Sequence, residues 1–359
     1  MSTVYIVSDF GKMQKKGETI SVQYNDGNTT IIFPYKVEQI VVIGNIEITG
    51  SALKMLMRYK IDTVFMNKNG KFDGKLVFQE GKNVLLRQKQ YKLLEDEEFK
   101  VRFCKSVIEG KLKNQYSFMQ RIKRERNIGG DFNKTLENMR NNIQNLDKSD
   151  NIEQIRGYEG LGSRYYFSIF KHNILPEWAE FKRRSMNPPE DNVNAVLSFL
   201  YTLINYRVEA AIESEGLDSY VGYLHTLDYG RKSLIFDLME EYRTPIADTL
   251  TASLFNLGTL SNEDFREVTF GGENEEYPLE AVDREERESA VVENKKGVLL
   301  TKEGLKKVIT QFEKKIDTTY YYQPQNRGVS YKQIIREQVK HFKRVILGEE
   351  KEYKPLVIK

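Results

Sequence analysis

One cysteine, Cys104, stands in 359 residues. No intrachain disulfide can form, and zinc sites built on several thiolates are excluded. A reducing compartment suits such a chain, so the expected location is cytoplasmic. Histidine is nearly as scarce, at three residues. No apolar run reaches the length of a membrane span. The N-terminal MSTVYIVSDFG has no basic segment followed by an apolar stretch, so no signal peptide is expected. A soluble intracellular protein with no membrane partner is the expectation. No solenoid-type repeat is visible.

What is present divides in two. At 359 residues, two domains are the default. Residues 1 to about 80 read as short strands rich in Val, Ile, Tyr and Phe: VYIVSDFG, ETISVQYN, TTIIFPYK, QIVVIGN and DTVFMN. Gly11, Gly17, Asp26-Gly27, Asn69-Gly70 and Gly74 punctuate them. SALKMLMRYK between two strands has helical spacing, with Leu53, Leu56 and Met57 on one face. After Gln79-Glu80-Gly81 the pattern changes. Apolar positions Phe99, Phe103, Val107, Leu112, Met119 and Ile122 recur at helical intervals between Arg87 and Asn127. Helices are expected near 133–146, 151–172, 191–215, 233–257, 301–316 and 330–347, with Ser233 as an N-cap and Gly216 as a stop. The fold class is therefore α+β: a small β-rich N-terminal domain, residues 1–85, then a larger all-α domain, residues 86–359. Residues 271–294 carry nine acidic and two basic residues and read as a solvated loop or insertion that nucleic acid avoids.

The chemistry concentrates in three places. In SLIFDLMEEYRTP, Asp237 and Glu240 stand three apart, so both carboxylates project from one helical face. Such a pair is held by a cation or an arginine, or it is a solvated face partnered by Arg243 or Lys232. His225 precedes this helix at the end of GYLH, on a strand or tight turn. It reads either as a hydrogen-bonded core residue or as a ligand folded back over the helix. Glu159 in GYEGLGSRYYF is followed by Gly160, Gly162 and Ser163, which permit close approach by a helix or a phosphate backbone. The alternative there is a helix packing its aromatics into the core. One imidazole and several carboxylates are a ligand set for a divalent ion that does phosphate chemistry. If these segments meet, the protein cuts or joins nucleic acid. Lys100, Arg102, Lys105, Lys111, Lys113, Arg121, Lys123, Arg124 and Arg126 crowd one helical region opposed only by Glu109 and Glu125, with Tyr116 and Phe118 interleaved. That is a phosphate-neutralising stripe or a solvated helix face. In FKRRSMNPPEDNVNAVLSFLY, Arg183 and Arg184 precede Pro188-Pro189 and a helix starting near Asp191, placed to grip phosphates or a carboxylate.

Taken in order, GYEGLGSRYYF, FKRRSMNPPEDNVNAVLSFLY, GLDSYVGYLH and SLIFDLMEEYRTPIAD resemble the CRISPR-associated integrase, the endonuclease of the spacer-adaptation module. Glu159, Gly160, Tyr166, Phe181, Arg184, Asn194, His225, Asp237, Glu240, Arg243 and Asp248 match the family pattern. QIVVIGNIEITGSALKMLMRYKIDTVFMNKNGKFDGKLV is similar to its β-domain, and YKQIIREQVKHFKRVILGEEKEYKPL to its closing helices. The resemblance implies that Glu159, His225 and Glu240 bind Mg²⁺ or Mn²⁺, with Asp237 an accessory carboxylate. It implies a transesterification in which the 3′-hydroxyl of a DNA fragment attacks at the edge of a CRISPR repeat. Expected partners are double-stranded DNA (the protospacer fragment and the repeat), a second copy joined through the β-domains, and a small ferredoxin-like adaptation protein. Arg102, Lys105, Arg121, Arg124, Arg184, Arg243 and Tyr166 are the residues expected to touch DNA. Two rival readings stand beside it. One is a metal-dependent nuclease acting on branched or single-stranded DNA without joining. The other is a non-enzymatic nucleic-acid scaffold with His225 in its core.

Overall fold

The computed structural model describes residues 2–70, 72–77, 83–126, 130–170, 175–179, 181–186, 188–225, 227–270 and 295–358. The expected loop at 271–294, the 79–81 break, Asn127 and the end of the 151–172 helix lie outside the described residues.

The N-terminal part is a six-stranded sheet. Its strands are β1 (Ser2–Lys16), β2 (Thr19–Tyr24), β3 (Thr29–Ile32), β4 (Val37–Ile48), β5 (Asp62–Met66) and β6 (Phe72–Leu76). They lie in the order β3-β2-β1-β4-β5-β6, with β1, β4 and β5 mutually parallel. Helix α1 (Gly50–Arg58) makes the crossover between β4 and β5, its start capped by the Thr49 side chain. Strand side chains alternate between faces, so the run QIVVIG in β4 serves two cores at once. Ile40 and Val42 join Ile6, Met13, Ile20 and α1 on one side. Val41 and Ile43, with Val64 and Met66 of β5, pack against the helices on the other. The buried residues of α1 are Ala52, Met55 and Leu56. This corrects the expected face: Leu53 is only half-buried and Met57 is exposed, because the stripe lies one position earlier. Gly44 sits at φ +109° where the β1–β4 register slips; a Cβ there would stand 1.9 Å from the Ser8 carbonyl oxygen.

The rest is mainly helical: α2 (Val84–Lys92), α3 (Glu97–Arg126), α4 (Asp131–Leu146), α5 (Ile152–Ile169), α6 (Asn192–Ser214), α7 (Ser233–Tyr242), α8 (Thr249–Asn256), α9 (Lys302–Asp317) and α10 (Tyr331–Leu347). The long helix expected from Arg87 is broken at 93–96 into α2 and α3. The helix expected over 233–257 is interrupted by a π turn, Arg243–Asp248. Pro245 lies within it and has no N–H to give to the ordinary ladder. The N-cap position of α7 is Lys232, and Ser233 is the first helical residue. Gly216 does end α6, at φ +77°. Two short hairpins add to the helical part: β7 (Phe265–Phe270) with β8 (Lys295–Leu300), and β9 (Thr319–Tyr322) with β10 (Arg327–Ser330). Among the described residues no helix is long and apolar enough to cross a membrane.

Candidate functional site

Helices α5 and α7 each pack against α3, and the three carry the polar groups of the site. Two glycines permit this. At Gly162 of α5 a Cβ would meet Leu112 of α3 at 2.4 Å and Asn142 of α4 at 3.0 Å. At Gly222, in the loop before α7, it would meet the Ser233 backbone carbonyl carbon at 2.6 Å. The loop therefore lies flat on the first turn of α7, and the Leu234 N–H donates to the Ser219 carbonyl at 3.1 Å.

Asp237 organises that loop. Its buried carboxylate accepts the backbone N–H groups of Tyr223, Leu224 and His225 at 2.6, 3.0 and 3.0 Å, and its Oδ1 lies 2.8 Å from His225 Nδ1. A carboxylate on Nδ1 fixes the ring and leaves Nε2 free to act as a ligand. His225 sits on a bend, not in a strand, and its side chain is 18% exposed. From the other side Arg156 of α5 donates through Nε to the Leu224 carbonyl at 3.1 Å. Gln90 of α2 donates to the Asp218 and Val221 carbonyls at 2.8 and 3.2 Å. Arg156 is one helical turn from Glu159, so the same helix supplies that carboxylate and tethers the histidine loop.

Glu159 and Glu240 are joined by Lys111. Its ammonium pairs with Glu159 Oε1 and stands 2.8 Å from Glu240 Oε2. Glu240 Oε1 pairs with Arg243 at 3.0 Å. Glu240 Oε2 is buried and, ion pair apart, accepts no well-formed hydrogen bond among the described residues. Burial alone would raise the Glu240 pKa, but Arg243, Lys111 and His225 hold it down to about 2. Burial likewise disfavours the Lys111 ammonium, and Glu159 with Glu240 outweighs it, so its pKa lies above the usual lysine value. Ser163 adds a donor to Glu159 Oε1 at 3.1 Å. Among the described residues no three His, Cys, Asp or Glu side chains are gathered into a ready metal cluster. The lysine is the cation between the two glutamates.

Behind this sits a second polar network. Asp248 accepts hydroxyls from Tyr166, Tyr201 and Thr244 at 2.9, 2.7 and 2.9 Å. The Tyr201 ring in turn carries Arg243 at 4.7 Å and Arg184 at 5.2 Å. Arg184 also donates to Asn194 Oδ1 at 2.8 Å and to Ser198 Oγ at 3.2 Å. The matched positions Tyr166, Arg184, Asn194, Arg243 and Asp248 are thus one connected scaffold. Tyr166 is wholly buried and faces Asp248, which corrects its expected place at DNA.

The basic stripe on α3 is also redrawn. Lys111 is buried in the site, and Phe118 belongs to the core, with Tyr116 packed against it. Lys100 and Arg102 pair along the helix with Glu97 and Glu98 at 2.5 and 3.4 Å, acids beyond the Glu109 and Glu125 reckoned with. Arg102 and Lys105 stand in a groove also lined by Glu97, Glu98, Glu109, Asp147 and Asp150, so acids outnumber bases there. Arg121 and Arg124 remain exposed at the far end of α3, Arg121 over the Phe118 ring at 4.9 Å. From the sequence, Lys111 is placed only in the basic stripe of α3, and Arg156 and Gln90 are unmarked. A lysine in a basic helix reads as surface, and nothing local marks the other two.

A family model for "CRISPR associated protein Cas1" matches residues 4–272. The chain is 27% identical over 361 residues to "CRISPR-associated endonuclease Cas1 3" of Thermus thermophilus, covering 100% of this chain and 98% of that one. It is 34% identical over 269 residues to "CRISPR-associated endonuclease Cas1 1" of Thermodesulfovibrio yellowstonii, covering 74% and 83%. A solved structure described as "Casposase bound to integration product" has the same fold, with a TM-score of 0.81 at 20% identity over 100% of this chain and 95% of that one.

Proposed function

Because the chain belongs to the CRISPR-associated Cas1 family, we propose that it is a divalent-metal-dependent DNA endonuclease and integrase that inserts short fragments as new spacers into a CRISPR array. Two curated relatives are named endonucleases, and a protein of the same fold is described with an integration product. The observation that carries the reading is the convergence on Lys111 of Glu159 and Glu240, from separate helices, with the Asp237-held imidazole of His225 near enough to Glu240 to help lower its pKa.

Glu159, His225 and Glu240 are the groups that would hold Mg²⁺ or Mn²⁺. Hard carboxylate oxygens and one imidazole suit such ions, and the buried Glu240 Oε2 has a lone pair to offer. When bound, the ion supplies Lewis-acid polarisation of the phosphoryl oxygen. The chain's own residues do the rest. Asp237 orients His225, Arg243 keeps Glu240 ionised, and Tyr201 supports Arg243. In the proposed reaction a fragment's 3′-oxygen forms the new ester bond to phosphorus as the bond to the repeat's own 3′-oxygen breaks, with no covalent protein intermediate. Two copies are proposed to pair through their sheet domains, where Ile31, Phe33 and Tyr35 leave apolar surface exposed at the β3 edge. A small ferredoxin-like adaptation protein completes the proposed assembly.

A strand-transfer assay tests this, using a repeat-bearing plasmid and a short duplex with Mg²⁺, Mn²⁺ or EDTA. Joined product should form with metal and fall to background in Glu159→Ala, His225→Ala and Glu240→Ala. Asp237→Ala should retain more. Joining that survives all three substitutions sinks the site assignment. Metal-dependent cutting with no joined product reduces the function to that of a nuclease.

A further inference from the structure

Among the described residues, Lys111 pairs with both proposed carboxylate ligands, and its own side chain is only 9% exposed. Two groups near it cannot easily move. Arg243 is locked on the Tyr201 ring and on Glu240 Oε1. Asp237 is saturated by four donors from the histidine loop. Lys111 instead hangs on a flexible four-carbon stem whose head can swing.

Charge balance sets the order of binding. Glu159, Asp237 and Glu240 carry three negative charges, and Lys111 with Arg243 carries two positive ones. With a neutral imidazole, as ligation requires, the cluster holds one net negative charge. A divalent ion alone would leave it with one net positive charge beside the buried Glu240 and Lys111. A divalent ion together with one phosphodiester restores neutrality. Buried excess charge is costly, so the two-component state is favoured over the metal alone.

We propose that Lys111 makes metal binding conditional on DNA: its ammonium occupies the carboxylates until an incoming phosphate accepts it, and only then is the divalent ion held tightly. The inference rests on the reading of Glu159, His225 and Glu240 as metal ligands. It makes Lys111 a positioning residue that guards against metal-loaded protein without substrate. Coupling of this kind is reciprocal, so the metal must tighten DNA binding by the same factor by which DNA tightens metal binding.

The test is Mn²⁺ affinity, read calorimetrically and from the free-ion electron paramagnetic resonance signal, with and without a short DNA duplex. Wild type should bind Mn²⁺ weakly alone and more tightly with the duplex. Lys111→Met should bind Mn²⁺ alone on the order of tenfold more tightly than wild type, and the duplex should add little. Lys111→Arg, which keeps the charge, should stay as weak as wild type without DNA. If Lys111→Met does not stay folded in EDTA, the dependence of its melting transition on Mn²⁺ concentration, fitted with the unfolding equilibrium included, gives the affinity. Equal Mn²⁺ affinity of Lys111→Met and wild type without DNA overturns the proposal while leaving the metal site standing. Absence of Mn²⁺ binding by every variant, with and without DNA, removes the metal site itself.

Discussion

Asp237 touches more of the site than any ligand it serves. Three backbone N–H groups and the imidazole all converge on its two oxygens. An amide in its place keeps one acceptor and turns a donor toward these N–H groups. Asp237→Asn should therefore cost about 2–4 kcal/mol of stability and lower Mn²⁺ affinity roughly 10–100-fold through misorientation of His225. Chemical denaturation and calorimetry read the two effects, and an unchanged affinity would mean that the loop holds without it. The sequence placed Asp237 and Glu240 on one face, and the family pattern separated their roles. It could not show the contact with His225, because the fold-back depends on Gly222 lying against the start of α7. Lys111 was illegible for a related reason: its burial is a property of where α5 and α7 land on α3. The structure puts Tyr166 among core aromatics, where the aromatic spacing of α5 had allowed it to go.

At the scale of elements, α7 is held from behind as well as in front. Glu241, beside Glu240, accepts the Leu356 N–H at 2.6 Å, the Tyr353 hydroxyl at 2.9 Å and Gln338 Nε2 at 3.1 Å. Asn114 of α3 donates to the carbonyls of Glu241 and Leu356, each at 2.9 Å. The chain after α10 thus pins α3 to α7, and a Cβ on Gly110 would strike Pro355 at 2.5 Å. Burial raises the Glu241 carboxyl to about 7, the hydrogen-bond donors offsetting only part of that rise. A carboxyl raised in the fold favours its protonated form there. Its stabilisation is complete below the ordinary 4.5 and is lost as pH climbs to about 7. Wild type should lose up to roughly 3 kcal/mol across that window relative to Glu241→Gln, whose amide does not titrate. Thermal melts of both proteins from pH 4.5 to 8 check this, and parallel curves would contradict it. The helices themselves were legible because their apolar period is regular. The hairpins were not, since β9 and β10 have four residues each and β7 and β8 are separated in sequence by residues 271–294.

Across the whole molecule, charge is distributed less simply than the composition of α3 suggested. Its N-terminal third lies along an acid-lined groove, while Arg121 and Arg124 are exposed at the other end, where Arg121 pairs only loosely with Glu125 at 3.8 Å. Arg121→Ala and Arg124→Ala should each weaken DNA binding and reduce the slope of log affinity against log salt by about one. Arg102→Ala and Lys105→Ala should leave that slope unchanged. The reverse ranking in a salt titration would place DNA on the opposite end of the helix. The most direct measurement of the central claim is an anomalous difference map from a crystal of the protein with Mn²⁺ and a DNA duplex. It should show one peak about 2.1 Å from His225 Nε2 and from carboxylate oxygens of Glu159 and Glu240, with Asp237 still bound to Nδ1. A peak on Asp237 in place of Glu240, or manganese anywhere but between these three side chains, would contradict it.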